Sequence, residues 1–216
     1  MANYTPENLQ GKKACKKALL QRMGATAPAL DRPVIGIVSR FATQKGFDLI
    51  ARIGEKLAAL DLYIVALGTG EPAHEELFRT MAAKYPDKFL VKIAYDNALA
   101  HQIEAGSDMF LMPSRYEPCG LNQIYSLKYG TVPIVRATGG LDDTIQAFDG
   151  ASGTGFKFHE YSPLALLATI QAALEMYAKP ELWRRLMQNG MKQDYSWATS
   201  AKAYSQIYET LKTAKA

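Results

Sequence analysis

Val34-Ile35-Gly36-Ile37-Val38-Ser39-Arg40-Phe41-Ala42-Thr43-Gln44-Lys45-Gly46-Phe47 is the stretch that decides how this chain is built. Its first five residues are apolar or Gly without a break, as in a strand of a parallel sheet covered on both faces. The run stops at Ser39-Arg40, after which Phe47, Ile50, Ile53, Leu57 and Leu60 recur three or four apart and predict an amphipathic helix. A buried strand feeding a helix through a polar loop is half of a βαβ unit. Working outward, further strands are predicted at 62–67, 89–94, 109–112, 132–135 and, more weakly, 155–158. Helical periods fall between them at 77–84, 99–105 and 121–128. The tail is then all helix, at 163–177, 180–191 and 197–211. The fold class expected is α/β: a doubly wound, mostly parallel six-stranded sheet with a C-terminal helical tail.

The 216 residues, 48% apolar and 21% charged, bury one sizeable core and give no sign of a second. One domain is therefore expected over 1–216, with a lead-in helix and loop at 1–32, an α/β core at 33–160 and the helical tail at 161–216. The 16 Gly and 10 Pro are near average usage and argue against a fibrous or disordered chain. No apolar run approaches the length of a membrane span. Two Cys, at 15 and 119, and a polar start without an apolar leader segment suggest a reducing cytoplasm, or a plastid in a plant. The formal charge of +4 resides in residues 1–32, where Lys12, Lys13, Lys16, Lys17, Arg22 and Arg32 face only Glu7 and Asp31. No aromatic is interleaved with these lysines, so they are read as a solvated helix face rather than a nucleic-acid contact.

Ligands of doubly wound sheets bind at the carboxyl ends of the strands, and here those ends are unusually polar or Gly-rich. They carry Ser39-Arg40 with Lys45-Gly46, Gly68-Thr69-Gly70, Tyr95-Asp96, Pro113 to Gly120, and Thr138-Gly139-Gly140. Bases, Gly turns that open helices, an aromatic and a carboxylate together suit a phosphorylated ligand bearing hydroxyls. Arg40 and Lys45 would meet a diphosphate; taken singly they are ordinary surface charges. Gly68-Thr69-Gly70-Glu71-Pro72-Ala73 fits a relaxed dinucleotide fingerprint. It follows the second strand, however, and position 93 is Ile where an acid belongs, so Gly68 and Gly70 are read as letting the backbone approach a ligand, with Gly68 a candidate substrate contact, or as capping a turn. Glu117 can accept hydrogen bonds from sugar hydroxyls while the amides of Cys119, Gly120 and Leu121 remain donors; the competing reading is an ion pair with Arg115. Thr138-Gly139-Gly140 offers further amides or is a plain turn. His74, His101 and His159 are isolated and read as structural, with no zinc spacing, nucleophile elbow or phosphate loop present. Trp183 and Trp197 are placed in the core.

On three stretches the sequence resembles the C-terminal half of bacterial glycogen synthases and plant starch synthases, two-lobed GT-B glycosyltransferases whose lobes are Rossmann-like. These are Ser39 to Gly46, Pro113 to Leu121 continuing to Tyr129-Gly130-Thr131, and Thr138 to Thr144, within a likeness running from about Leu9 to Leu211. The resemblance implies transfer of glucose from ADP-glucose to the non-reducing end of an α-1,4-glucan with retention, without metal or other cofactor. It implies that Arg40 and Lys45 hold the diphosphate with help from the amides of Thr138, Gly139 and Gly140. Glu117 and the amides of Cys119, Gly120 and Leu121 would grip the glucose, and Tyr95 would stack on adenine.

Two departures stand out. Many retaining GT-B enzymes place a second glutamate eight positions after the first, where this chain has Tyr125; glucan synthases commonly differ there. The N-terminal lobe of such enzymes, with its Lys-x-Gly-Gly loop, its His and most of the acceptor groove, has no counterpart here. The chain is accordingly expected to be a fragment or a natural partial protein that lacks full activity alone. The alternatives are a stand-alone nucleotide-sugar binding module, or another GT-B transferase, of sucrose or trehalose type, that uses UDP-glucose.

Overall fold

The computed structural model describes residues 2–25 and 29–213. Its six strands are β1 (Val34–Val38), β2 (Tyr63–Gly68), β3 (Phe89–Ile93), β4 (Met109–Met112), β5 (Val132–Arg136) and β6 (Phe156–Phe158). They form one parallel sheet in the order β3-β2-β1-β4-β5-β6. The expected α/β class and doubly wound arrangement are borne out, and the sheet is parallel at every pairing. Helices α1 (Gln10–Arg22), α2 (Phe47–Ala59), α3 (Pro72–Lys84), α4 (Asn97–Gly106), α5 (Asn122–Lys128), α6 (Gly139–Thr144), α7 (Pro163–Tyr177), α8 (Pro180–Met191) and α9 (Trp197–Thr213) complete it.

The unbroken apolar strands are explained by two cores, one on each face. Along β2, Ile64 and Ala66 join the larger core with Phe47, Ile53, Phe78 and Ile170, while Tyr63, Val65 and Leu67 join the smaller one with Leu19, Leu99 and Ile103. Alternate side chains thus point to opposite faces, and both faces are dry. Helices α2, α3, α7 and α8 supply the first core and α1 and α4 the second, while Leu127 of α5 and Leu141 and Ile145 by α6 pack with Val135 in a smaller cluster. Successive connections run outward from β1 to β3, then restart at β4 and run the other way. Right-handed crossovers therefore place the first and second sets of helices on opposite faces, and the chain ends of β1 and β4 splay apart at a switch point.

Two expectations need correction. The basic face of α1 is only partly solvated: Lys12 and Lys16 are buried, spaced with Cys15 and Leu19 on the side packed against α4. The cause is the carbonyls that helix ends leave unpaired. Lys12 Nζ donates to Ala105 O in the last turn of α4 (3.1 Å), to Tyr129 O at the end of α5 (2.9 Å) and to Thr131 Oγ1 (2.7 Å). Burial lowers its pKa to about 7, against the raising influence of Asp108. Lys16 pairs with Asp108 at 2.7 Å, and the same carboxylate oxygen accepts the Val34 amide at 2.8 Å. The second correction concerns the tail. Trp183 is buried as expected, but Trp197 is 89% exposed, because α9 buries none of its residues against the rest of the chain.

Candidate functional site

At the switch point, the ends of β1 and β4 and the loops that follow them enclose a cavity of about 370 Å³, walled by Ser39, Arg40, Lys45, Glu117, Gly120 and Leu121 among others. The wall begins with the β1 loop. A short 3-10 turn, Thr43–Lys45, ends at Gly46, whose left-handed φ of 78° starts α2 and turns Lys45 back toward the strand ends. Only Gly fits there, since a Cβ would lie 2.0 Å from Pro113 O. The β1 and β4 loops are stitched together where they pass: Arg115 N donates to Gln44 O (2.8 Å), and Gln44 Nε2 to Tyr116 O (2.8 Å).

This stitching brings Lys45 and Glu117 together. Lys45 Nζ lies 2.6 Å from Glu117 Oε2, which also accepts from Ser114 Oγ at 3.1 Å. Glu117 is buried, with a side chain 8% exposed, and Lys45 is 23% exposed. The competing pairing of Glu117 with Arg115 is not what forms. Arg115 turns outward to Asp48 (3.7 Å) and packs its guanidinium 4.7 Å from the Tyr161 ring. Arg40 stands exposed at the cavity mouth, with no ion pair among the described residues. Close by, Glu71 caps the 3-10 turn through Thr43, whose hydroxyl and amide bonds hold that carboxyl below its usual range.

The third wall comes from β5. Gly139 and Gly140 carry the Pro113–Gly120 loop directly on their backbone, since Cβ atoms there would fall 2.2 Å from Glu117 O and 2.0 Å from Cys119 O. Gly140 N donates to Glu117 O (3.0 Å), so this amide, expected to face a diphosphate, is already used to hold the Glu117 loop. The Thr138 and Gly139 amides meet no acceptor among the described residues. Cys119 is exposed; Gly120 takes φ +74° and, with the half-exposed Leu121, lines the cavity.

Two predicted residues lie apart from this wall. Gly68 is buried at the end of β2, and the space of its missing Cβ is filled by Ser39 O at 2.0 Å and the Phe41 ring. Its bareness is taken up by the chain's own β1 loop, where the sequence predicts a ligand. Tyr95 follows β3, two strands from the cavity, and is 89% exposed. Reading the sequence missed Ser114, Asn122 and Gln123. Asn122 Nδ2 ties α5 to Val38 O at 2.8 Å, and Gln123 is completely buried under the Cys119–Gly120 turn. All three sit within or beside the motif that holds Glu117, which is the signal that could have found them. Among the described residues no cluster of ligating side chains could hold a metal ion, and no helix is long and apolar enough to cross a membrane.

Residues 22–193 match the family described as Glycosyl transferases group 1. A glycogen synthase of Koribacter versatilis is 55% identical over all of this chain and 44% of its own length. One of Anaeromyxobacter dehalogenans is 51% identical over 97% of this chain and 44% of its own. The chain thus spans less than half the length of the curated relatives it matches. Among solved structures, the catalytic domain of starch synthase IV from Arabidopsis thaliana, bound to ADP and acarbose, superposes with a TM-score of 0.86 at 33% identity, covering 97% of this chain and 44% of that one. The C-terminal domain of a group 1 glycosyl transferase from Francisella tularensis shares the fold at 19% identity, with a TM-score of 0.60, and this chain covers 91% of it.

Proposed function

Because this chain belongs to the glycosyl transferases of group 1, we propose that it is the donor-binding lobe of a retaining glucosyltransferase that moves glucose from ADP-glucose to the non-reducing end of an α-1,4-glucan, as a cytoplasmic glycogen synthase. The relatives named glycogen synthase and the ADP-bound starch synthase support this reading. The observation that carries it is the meeting of Lys45 and Glu117 in the switch-point cavity. One group is a cation for a diphosphate and the other an acceptor for sugar hydroxyls, and they stand one hydrogen bond apart, which suits the junction in a nucleotide sugar where the diphosphate meets the glucose.

In this reading Arg40 and Lys45 stabilise the negative charge that grows on the departing diphosphate as the glycosidic bond breaks. Glu117 accepts from glucose hydroxyls, the Gly120 and Leu121 amides donate to the sugar, and Tyr95 reaches the base from its exposed place beyond β2. No metal or other cofactor is assigned a part. The acceptor and the opposite wall of the cleft are assigned to the part of the relatives that lies outside this match. Holding an acceptor hydroxyl at the anomeric carbon is worth on the order of 7 to 11 kcal/mol in favourable intramolecular cases. The 216-residue chain by itself is therefore proposed to bind the donor without elongating glucan.

Calorimetric titration with ADP, ADP-glucose and UDP-glucose, coupled to amide chemical shifts, tests the reading. ADP-glucose is expected to bind more tightly than UDP-glucose and to shift amides around Arg40, Lys45, Glu117 and Gly139. Shifts confined to α7, α8 and α9 would remove the site assignment, and tighter binding of UDP-glucose would replace the donor.

A further inference from the structure

Gln123 is fully buried, and its amide group meets three acceptors: Nε2 lies 3.0 Å from Cys119 O, 3.0 Å from Gly120 O and 3.2 Å from Thr144 Oγ1. Its other polar atom, Oε1, is buried without a hydrogen-bond partner. That imbalance sets the side chain's orientation, because a flipped amide would put oxygen against two carbonyls and leave all three acceptors without a donor. The Cys119–Gly120 turn is moulded around it: a Cβ on Gly120 would sit 2.5 Å from Oε1.

A peptide unit is planar and trans, so its N–H points opposite to its C=O. With the carbonyls of Cys119 and Gly120 drawn inward to Gln123, the N–H groups of Gly120 and Leu121 must face outward. Neither meets an acceptor among the described residues, and both residues line the cavity that holds Glu117. Thr144 ties the arrangement to α6: its hydroxyl accepts from Gln123 and donates to Gly140 O, while Gly140 N holds Glu117 O. We propose that Gln123 is a positioning residue for the sugar, which by gripping two carbonyls from beneath aims the Gly120 and Leu121 amides at the glucose held by Glu117. The proposal deepens the donor-site reading above and rests on it.

The test uses the 216-residue chain and the variants Gln123→Glu and Gln123→Met, each titrated with ADP and with ADP-glucose, together with amide hydrogen exchange of the unmodified chain. Glu keeps the size but sets a second acceptor against the carbonyls; Met keeps the length and donates nothing. In both, ADP affinity is expected within about twofold of the unmodified chain, while the additional affinity for ADP-glucose falls about tenfold, the value of a hydrogen bond or two. In the unmodified chain the Gly120 and Leu121 amides should exchange rapidly and be protected by ADP-glucose but not by ADP. Equal weakening of both ligands, retention of the ADP-glucose increment, or slow exchange of these amides without ligand would each overturn the proposal. Should both variants fail to fold, the exchange measurement still decides. If the unmodified chain binds ADP-glucose no better than ADP, the donor-site reading itself fails, and that is read before any variant is made.

Discussion

Replacing Lys45 by Ala perturbs two things at once, and the geometry says how to separate them. The ammonium lies 2.6 Å from Glu117 Oε2, and the carboxylate's other partner is Ser114 Oγ at 3.1 Å. With the Glu117 side chain 8% exposed, removing Lys45 leaves a nearly buried charge on a single neutral donor. A hydrogen bond to a charged group is worth about 1.5 to 3 kcal/mol, and most of that cost should appear as lost folding stability in urea. If Lys45 also contacts the diphosphate, a second loss of similar size appears in ADP affinity, about ten- to hundredfold.

Stability alone cannot tell these effects apart, but a double-mutant cycle can. Glu117→Gln removes the charge that Lys45→Ala strands, so the double variant should recover most of the stability lost by Lys45→Ala alone. ADP affinity should not recover, since the cation is still missing. Urea midpoints and calorimetric dissociation constants on the four proteins give both cycles. An unchanged dissociation constant for ADP in Lys45→Ala, with stability lost as described, would refute the assignment of Lys45 to the diphosphate and leave it as a structural partner of Glu117.

Three further outcomes are expected. Glu117→Gln should retain ADP affinity and lose about tenfold of the extra affinity for ADP-glucose, since the sugar loses a charged acceptor; equal weakening of both ligands in calorimetry would assign Glu117 to the fold instead. Burial pushes the Glu104 carboxyl up to about 8, against 4.5 for the ordinary group, and its Oε2 is buried without a hydrogen-bond partner, with His101 Nδ1 3.9 Å away. The folded state then holds a proton that the unfolded chain releases, so this contribution is full below pH 4.5 and is lost as pH rises to about 8. Relative to the unmodified chain, Glu104→Gln should gain stability across that window, by up to about 5 kcal/mol, and a flat difference in urea midpoints would contradict it. Removing residues 197–216 should change unfolding free energy by less than about 1 kcal/mol and leave ADP binding intact, because α9 buries none of its residues; loss of the cooperative transition would show otherwise.

Much of the fold was legible because its signals are local. The limits of β1, β4, α7 and α8 follow from apolar runs, from Pro163 and Pro180 at helix starts, and from the Ser162 hydroxyl that caps α7 by accepting from Ala165 N. The convergence of polar loops was legible for the same reason, since any strand end in such a sheet lies on one edge. What depends on partners distant in sequence was not. Lys12 reads as surface until Ala105 O and Tyr129 O are known to need a donor, and Trp197 reads as core until α9 is seen to bury none of its described residues. The Lys45–Glu117 pair spans 72 positions, and no spacing rule reaches that far.

The glycines of the site show the same division. In the β1 and β5 loops they read naturally as openings through which amides meet a phosphate. Gly46 gives way to Pro113 O, Gly139 to Glu117 O and Gly140 to Cys119 O, so the β4 loop is wedged between the loops of β1 and β5, backbone on backbone. Their bareness therefore serves packing first. The proposed ligand site builds on it, because a loop gripped on both sides carries Glu117, Gly120 and Leu121 on a rigid path beside Arg40 and Lys45 without needing a ligand to order them. On the proposed donor-site reading, specificity for the sugar then lies in what holds that loop from below as much as in what touches the donor. Gln123 and Thr144, rather than any further charged residue, are consequently where substitutions should alter recognition of glucose while leaving recognition of the nucleotide unchanged.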